Sequence, residues 1–420
     1  MSENPAGTAA DAAETAEDRK VVYATAVYDQ AEIDAVNRVL TQGQNGLRIG
    51  ENVAEMERLV ADLFGKRHGV MVSSGSAALF LAVELLGLTP GTEVITSPLT
   101  FSTDLSPLLR AGLVPVFVDV EPDTFQVDVT KIEEMITERT GALLFPNLAG
   151  NAPDWDAIRE IADRHDLPVI EDSCDAVGST LHGTPTGTRS DISVTSFSLS
   201  HIITAAGQGG MLMLDDDALR DRCLTLRGWG RRSETQLFGS KAGSRDFWTD
   251  LDGIAYDNMF IFDEAGWNFL PTEICAAFGV PQVHKLPGNR ARRQRNYDLY
   301  TEILGRHPEA FVAPRQIPGL DTAWLSYCFL IRPDAGFTRS DLQQYLEGHG
   351  IDTRVVWTGN AARQPFMKNA EFRVPESGLP GADEVMERGM LISCNHGLTD
   401  ESIAYVGKHI EAFLAERTAQ

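Results

Sequence analysis

The chain has 420 residues, 43% of them hydrophobic, enough for a large buried core and two or three domains. Its formal net charge of −24 argues against a nucleic-acid partner, whose phosphates need clustered Lys and Arg. No apolar run reaches the length of a membrane span, no basic start with an apolar stretch marks a secretory signal, and the scattered cysteines (Cys174, Cys223, Cys275, Cys328, Cys394) never form C-x-C or C-x-x-C, so reduced thiols in a cytoplasmic protein are expected rather than disulfides or a metal site.

Residues 1–20 are rich in Ala, Glu and Asp without apolar periodicity, and read as a disordered tail. From about Val22 a strand–helix rhythm begins. Strands are predicted at 69–72, 93–96, 114–118, 142–145, 168–171, 193–197 and 210–214, with helices at 76–86, 103–111, 129–138 and 155–165. Short apolar strands alternating with amphipathic helices imply an α/β fold with a mostly parallel sheet covered on both faces. Ligands bind such sheets at the carboxyl ends of the strands. Residues 227–262 are polar, rich in Arg and Gly, and aperiodic, as in a long functional loop. A helical segment follows over 273–304, with a kink expected at Pro281 and Pro287. The remainder reads as a smaller α+β domain with strands at 327–331 and 353–356 and helices at 339–347 and 401–416. The expected division is a large domain over 21–285 and a small one over 286–420.

Four places after strands carry possible chemistry. Ser73-Ser74-Gly75-Ser76-Ala77-Ala78 opens a helix with small residues, which suits either a phosphate at the helix N-terminus or an ordinary Ser N-cap. Phe101 follows the strand at 93–96, where its ring could stack on a planar group or simply fill the core. Glu171-Asp172-Ser173-Cys174-Asp175 puts carboxylates at a strand end, where each needs a positive or hydrogen-bonding partner. Ser196-Phe197-Ser198-Leu199-Ser200-His201 is followed by Gly207-Gln208-Gly209-Gly210. Ser196 could donate to a phosphate, and His201, with a reference pKa near neutrality, could act as a general base.

In order, these segments resemble the DegT/StrS family of pyridoxal-phosphate sugar aminotransferases: S-G-S-A-A, T-F, E-D-x-x-D-A-x-G, S-F-x-x-x-[K], G-x-G-G and G-x-N, the last being Gly266-Trp267-Asn268. The resemblance runs from about residue 21 to the C-terminus. It implies the aspartate-aminotransferase-like fold, type I of the PLP-dependent transferases, with a mostly parallel seven-stranded sheet in the large domain, and a homodimer with its active site at the subunit interface. It further implies that Ser196 and the backbone at Gly75 and Ser76 hold the phosphate, that Phe101 stacks on the ring, and that Asp172, with Asp175 nearby, meets the pyridinium nitrogen. Asn268 would reach the phosphate bound by the neighbouring subunit.

Where the aminotransferases have the lysine that anchors the cofactor, this chain has His201. That substitution resembles the branch of 3-dehydratases acting on nucleotide-linked 4-keto-6-deoxyhexoses. A second segment fits the same branch. Thr353-Arg354, Gly359-Asn360 and Arg363-Gln364-Pro365 match its T-R-x-x-x-x-G-N-x-x-R-Q-P, which implies substrate contacts from Arg354, Asn360 and Arg363. The resemblance implies pyridoxamine 5′-phosphate or pyridoxal 5′-phosphate as cofactor, His201 as base, loss of the C3 hydroxyl, and an amino donor such as glutamate. The chain departs from the reductase-coupled dehydratases because Trp229-Gly230-Arg231 is followed by no C-x-C, so no iron–sulfur cluster is expected. It also departs at Gln208, where Glu is usual, in a turn one residue longer than usual, and at Phe269-Leu270-Pro271, usually a polar segment. A sugar aminotransferase of the same fold and a non-catalytic binding protein remain the alternatives.

Overall fold

The computed structural model describes residues 21–244 and 246–418. The expected tail at 1–20 lies outside them.

The amino-terminal part begins with α1 (Gln30–Thr41), closed by a capping box between Asp29 and Glu32, and α2 (Glu51–Phe64). A seven-stranded sheet follows. Its members are β1 (His68–Val72), β2 (Glu93–Thr96), β3 (Val114–Phe117), β4 (Thr140–Pro146), β5 (Val169–Asp172), β6 (Ile192–Ser196) and β7 (Gly210–Leu214), in spatial order β1-β7-β6-β5-β4-β2-β3. Only β7 runs against its neighbours. Its strands are buried on both faces because α3 (Gly75–Leu85), α4 (Ser102–Arg110), α5 (Trp155–His165) and α6 (Asp217–Arg227) join or flank them. Helix α5 shows the local logic. Asp154 caps it by accepting from Ala157 N at 3.1 Å, and Trp155, Ile158, Ile161 and Ala162 form its buried stripe.

Two expectations for this region are corrected. The helix predicted over 129–138 is instead two 3-10 turns, Val129–Lys131 and Glu133–Met135. The Asp128 carboxylate binds Thr130 N and Thr130 Oγ1, and Thr137 Oγ1 donates across to Glu93 Oε2 at 2.8 Å, so side chains hold the backbone in tight turns. The predicted loop over 227–262 contains a short helix, Glu234–Leu237, and a hairpin of β8 (Trp248–Leu251) and β9 (Ile254–Asp257). Asp252 and Gly253 both have positive φ, the backbone that a two-residue Asp-Gly hairpin turn requires.

Helix α7 (Glu273–Gly305) continues as one 33-residue element through Pro281 and Pro287, and the expected domain border at 285/286 falls inside it. Beyond it, β10 (Phe311–Val312), β11 (Ser326–Ile331), β12 (Thr353–Val355) and β13 (Gly389–Ser393) form an antiparallel sheet in the order β10-β11-β13-β12. Helices α8 (Arg339–Gly348), α9 (Pro380–Arg388) and α10 (Asp400–Thr418) accompany it. Among the described residues no helix is long and apolar enough to cross a membrane.

Candidate active site

A cavity of about 660 Å³ opens at the carboxyl ends of the large sheet and is closed on one side by the small sheet. Gly75, Ser76, Phe101, Asp172, Asp175, Ser196, His201 and Arg354, singled out from the sequence, all line it. Asn268, Asn360 and Arg363 do not. Asn268 pairs with Gly228, and its neighbour Phe269 accepts from Ser73 N at 2.9 Å, which puts it behind the loop that opens α3. Asn360 and Arg363 are both held by Asp383, each at 2.6 Å.

One end of the cavity is shaped by close backbone approach. Val72 on β1 and Ser196 on β6 both register with Gly210 on the intervening β7. A Cβ at Gly210 would stand 2.3 Å from Ser74 C and 2.4 Å from Gly75 N, and a Cβ at Gly75 would stand 2.6 Å from Ser196 Cβ. The two glycines therefore let the helix-opening loop settle directly on Ser196. Ser74 Oγ is an ordinary N-cap, accepting from Ala77 N at 3.1 Å, and Gly75 and Ser76 at the start of α3 line the cavity. A helix N-terminus beside a serine hydroxyl is a natural seat for phosphate.

The floor is acidic. Asp172 accepts from Cys174 N at 2.9 Å, and Asp175 Oδ2 accepts from Ala149 N at 3.1 Å. Beside them is Asp104 on α4, which the sequence reading missed; Thr100 Oγ1 donates to its Oδ2. The available signal was an Asp in phase with the buried Leu105 and Leu108 of an amphipathic helix. Burial pushes all three carboxyls above the usual range, Asp175 to about 8, and it also pushes up the nearby Cys174 thiol. Among the described residues no Lys, Arg or His forms an ion pair with any of the three carboxyls, so the floor is suited to a cation that a ligand brings. Phe101 remains 55% exposed at the mouth, with its ring free to cover a planar group. A helix N-terminus beside a serine hydroxyl, an aromatic face and a buried carboxylate without an ion-pair partner together suit a pyridine cofactor that carries a phosphate.

His201 sits on the wall. Burial, aided by the charge of Arg293, lowers its pKa to about 4, while backbone carbonyls of Ser196 and Cys174 pull weakly the other way. The ring is therefore neutral near pH 7, and burial lowers its basicity in the cofactor-free protein. Its Nδ1 is buried without a hydrogen bond of normal geometry, and the residue lines the cavity. Among the described residues no lysine lines the cavity. Lys66 donates to Ser190 O at 2.6 Å, Lys131 pairs with Asp128, and Lys285 pairs with Asp29 and Glu32.

Beside Arg354, the small domain and the chain start supply wall residues, among them Tyr23, Thr358 and Phe366, that nothing in the sequence singled out. Tyr23 is fixed by Asp352 Oδ2, which accepts from its backbone N at 2.9 Å, and its ring lies 5.5 Å from the Arg354 guanidinium. Thr358, Gln364 and Phe366 line the cavity from the segment that carries Asn360 and Arg363. Thr358 Oγ1 donates to Thr100 O at 2.7 Å and ties that segment to the loop bearing Phe101. Gln208 also lines the cavity, beyond the lengthened turn in which Ala206 and Gly207 have positive φ.

The chain is similar to known proteins along most of its length. The chain is 35% identical over 399 residues to dTDP-4-dehydro-2,6-dideoxy-D-glucose 3-dehydratase of Saccharopolyspora spinosa, covering 92% of this chain and 86% of that one. It is 32% identical over 354 residues to GDP-4-keto-6-deoxy-D-mannose 3-dehydratase of Yersinia pseudotuberculosis, covering 83% and 86%. A crystal structure of GDP-4-keto-6-deoxymannose-3-dehydratase with a trapped PLP-glutamate geminal diamine superposes with a TM-score of 0.84 at 27% identity, covering 93% of this chain and 99% of that one. The chain has the PLP-dependent aminotransferase-like architecture expected from the sequence, which it shares with that crystal structure. The sequence profile of the DegT/DnrJ/EryC1/StrS aminotransferases matches residues 27–411, and the chain belongs to that family.

Proposed function

We propose that the protein is a 3-dehydratase of a nucleotide-linked 4-keto-6-deoxy sugar, using pyridoxamine or pyridoxal 5′-phosphate without a covalent anchor, in deoxysugar biosynthesis. The observation that carries this reading is His201 in a cavity that no described lysine lines. It is supported by the likeness to two 3-dehydratases across more than four-fifths of their length.

When bound, the cofactor would supply an amine for the substrate's ketone and a ring that accepts electrons. Ser196 and the start of α3 at Gly75 and Ser76 would hold its phosphate, Phe101 would cover the ring, and Asp172 would face the ring nitrogen with Asp175 nearby. The His201 imidazole is the group of the protein that takes up a proton and returns it during departure of the C3 hydroxyl. A neutral imidazole suits this role, and it cannot compete with the substrate for the cofactor as a lysine amine would. Arg354, Asn360 and Arg363 are assigned to the substrate, Arg354 from the cavity wall and the other two from the same segment, where Asp383 holds them. We assign the enzyme to the cytoplasm as a homodimer, with Asn268 reaching the partner subunit's phosphate and glutamate as amino donor.

The test is reductive trapping followed by turnover. Protein incubated with pyridoxal phosphate and borohydride should show bound cofactor but no stoichiometrically labelled lysine peptide. With pyridoxamine phosphate it should deoxygenate a nucleotide-linked 4-keto-6-deoxyhexose at C3. A stoichiometric lysine adduct, or an amino sugar as the stable product, would return the chain to the aminotransferases.

A further inference from the structure

We propose that Asp104 is a positioning residue: it carries a proton and donates it in a hydrogen bond to Asp172, so that the buried pair presents one negative charge, not two, to the cofactor ring. This rests on the cofactor reading above.

Asp104 is 0% exposed. One of its oxygens, Oδ2, receives the Thr100 hydroxyl, and the other, Oδ1, is buried with no donor directed at it. The adjoining hydrogen-bonding group is the carboxyl of Asp172. Two ionised carboxylates are both acceptors, so this approach makes sense only with a proton between them. The environment says which residue holds it. Asp172 borders the cavity and is stabilised as an anion by Cys174 N at 2.9 Å. Asp104 is the more deeply enclosed of the two and faces only the Thr100 hydroxyl and other acids. The remaining titratable groups around the pair are Glu171, Cys174 and Asp175, none of them cationic. Burial and the Asp172 charge both favour the protonated form of Asp104, and its donated hydrogen bond in turn favours ionised Asp172. A single charge opposite a pyridinium is neutralised by it, whereas a second buried charge would be left without a partner.

The experiment is infrared spectroscopy of the full chain without cofactor, with pyridoxal-phosphate titration followed by fluorescence. Spectra are taken in an Asp175→Asn background to remove the neighbouring acid that burial also pushes up, and the Asp104 band is read as a difference between variants, which cancels buried Glu57 and Glu234. A protonated-carboxyl band at neutral pH should disappear on Asp104→Asn. In the otherwise native chain, Asp104→Asn, whose amide still donates, should keep cofactor affinity within about threefold, while Asp104→Leu should weaken it roughly tenfold or more. Persistence of the band in Asp104→Asn, or equal loss of affinity in both variants, would overturn the proposal. If native protein binds no pyridoxal phosphate, the cofactor reading falls, and the infrared arm still decides where the proton resides.

Discussion

The two faces of β5 carry consecutive carboxylates with opposite fates. Glu171 points to the side of α5, where it accepts from Asn147 Nδ2 at 2.8 Å, Ser173 Oγ at 2.7 Å, Ser193 Oγ at 3.0 Å and Ser190 Oγ at 3.3 Å. Asn147 is itself held by Trp155 Nε1 at 2.7 Å. Asp172 borders the cavity and has the backbone N and the thiol of Cys174 and the carboxyl of Asp104, with no cation among them. Strand alternation separates the two residues, and polar satisfaction separates their roles. A buried acid whose acceptors are filled by the fold belongs to the fold. One left short of partners is available to a ligand.

Substitutions that separate the two faces follow from this contrast. On the cavity face, His201→Asn should lower turnover roughly 10²- to 10⁴-fold while pyridoxal phosphate still binds. An equal loss of cofactor binding would reduce His201 to a packing role. On the opposite face, Glu171→Ala should cost about 3 kcal/mol of stability by stranding its donors, read by urea unfolding. Asp172→Asn should behave inversely. Stability of the cofactor-free protein should hold or rise because an uncompensated buried charge is gone, while cofactor affinity should fall roughly tenfold or more. If both variants destabilise the fold alike, the division of the two faces fails.

Gly210→Ala should distort the seat that β7 offers the loop before α3, at about 1–3 kcal/mol of overpacking, with weaker cofactor binding by titration. The smallest effect is in the pH dependence. The folded-state pKa of Asp175 is raised from 3.8 to about 8, so its contribution to stability is complete below about pH 4 and is lost as pH rises towards 8. His201, lowered from 6.5 to about 4, acts in the opposite sense between those two values and is silent above them. Asp104 and Asp172 tilt with Asp175. Stability of the cofactor-free protein should therefore fall from pH 6.5 to 8, and Asp175→Asn should flatten the fall by up to about 1.4 kcal/mol per pH unit. Denaturant titrations across that window check it. An unchanged slope would place an ionised Asp175 in the cavity.

Regions governed by local periodicity were legible in the sequence alone. Helix α5 and strand β7 lie where the apolar pattern put them, and the residues after β1, β2, β5 and β6 meet in one cavity as a sheet with ligands at its carboxyl ends requires. The hairpin over 248–257 escaped because its strands are largely exposed and lack a buried face, although its Asp-Gly turn was there to be read. The turns at 129–135 escaped because side chains from Asp128 and Thr137, not periodicity, shape the backbone.

By itself the sequence determined the alternation of strands and helices, the acidic and small-residue motifs after the strands, and the His201 that stands where the family has lysine, because each is written within a few consecutive residues. Only the tertiary structure decided that Asp104 adjoins Asp172, that Tyr23 and Thr358 complete the wall, and that Asn360 and Arg363 are held by Asp383 outside it. Those relations join residues far apart in the chain, with Tyr23 and Arg354 meeting across most of its length. Burial, which moves the proton affinities of Asp175 and His201 in opposite directions, is a property of the packed molecule and of no single segment.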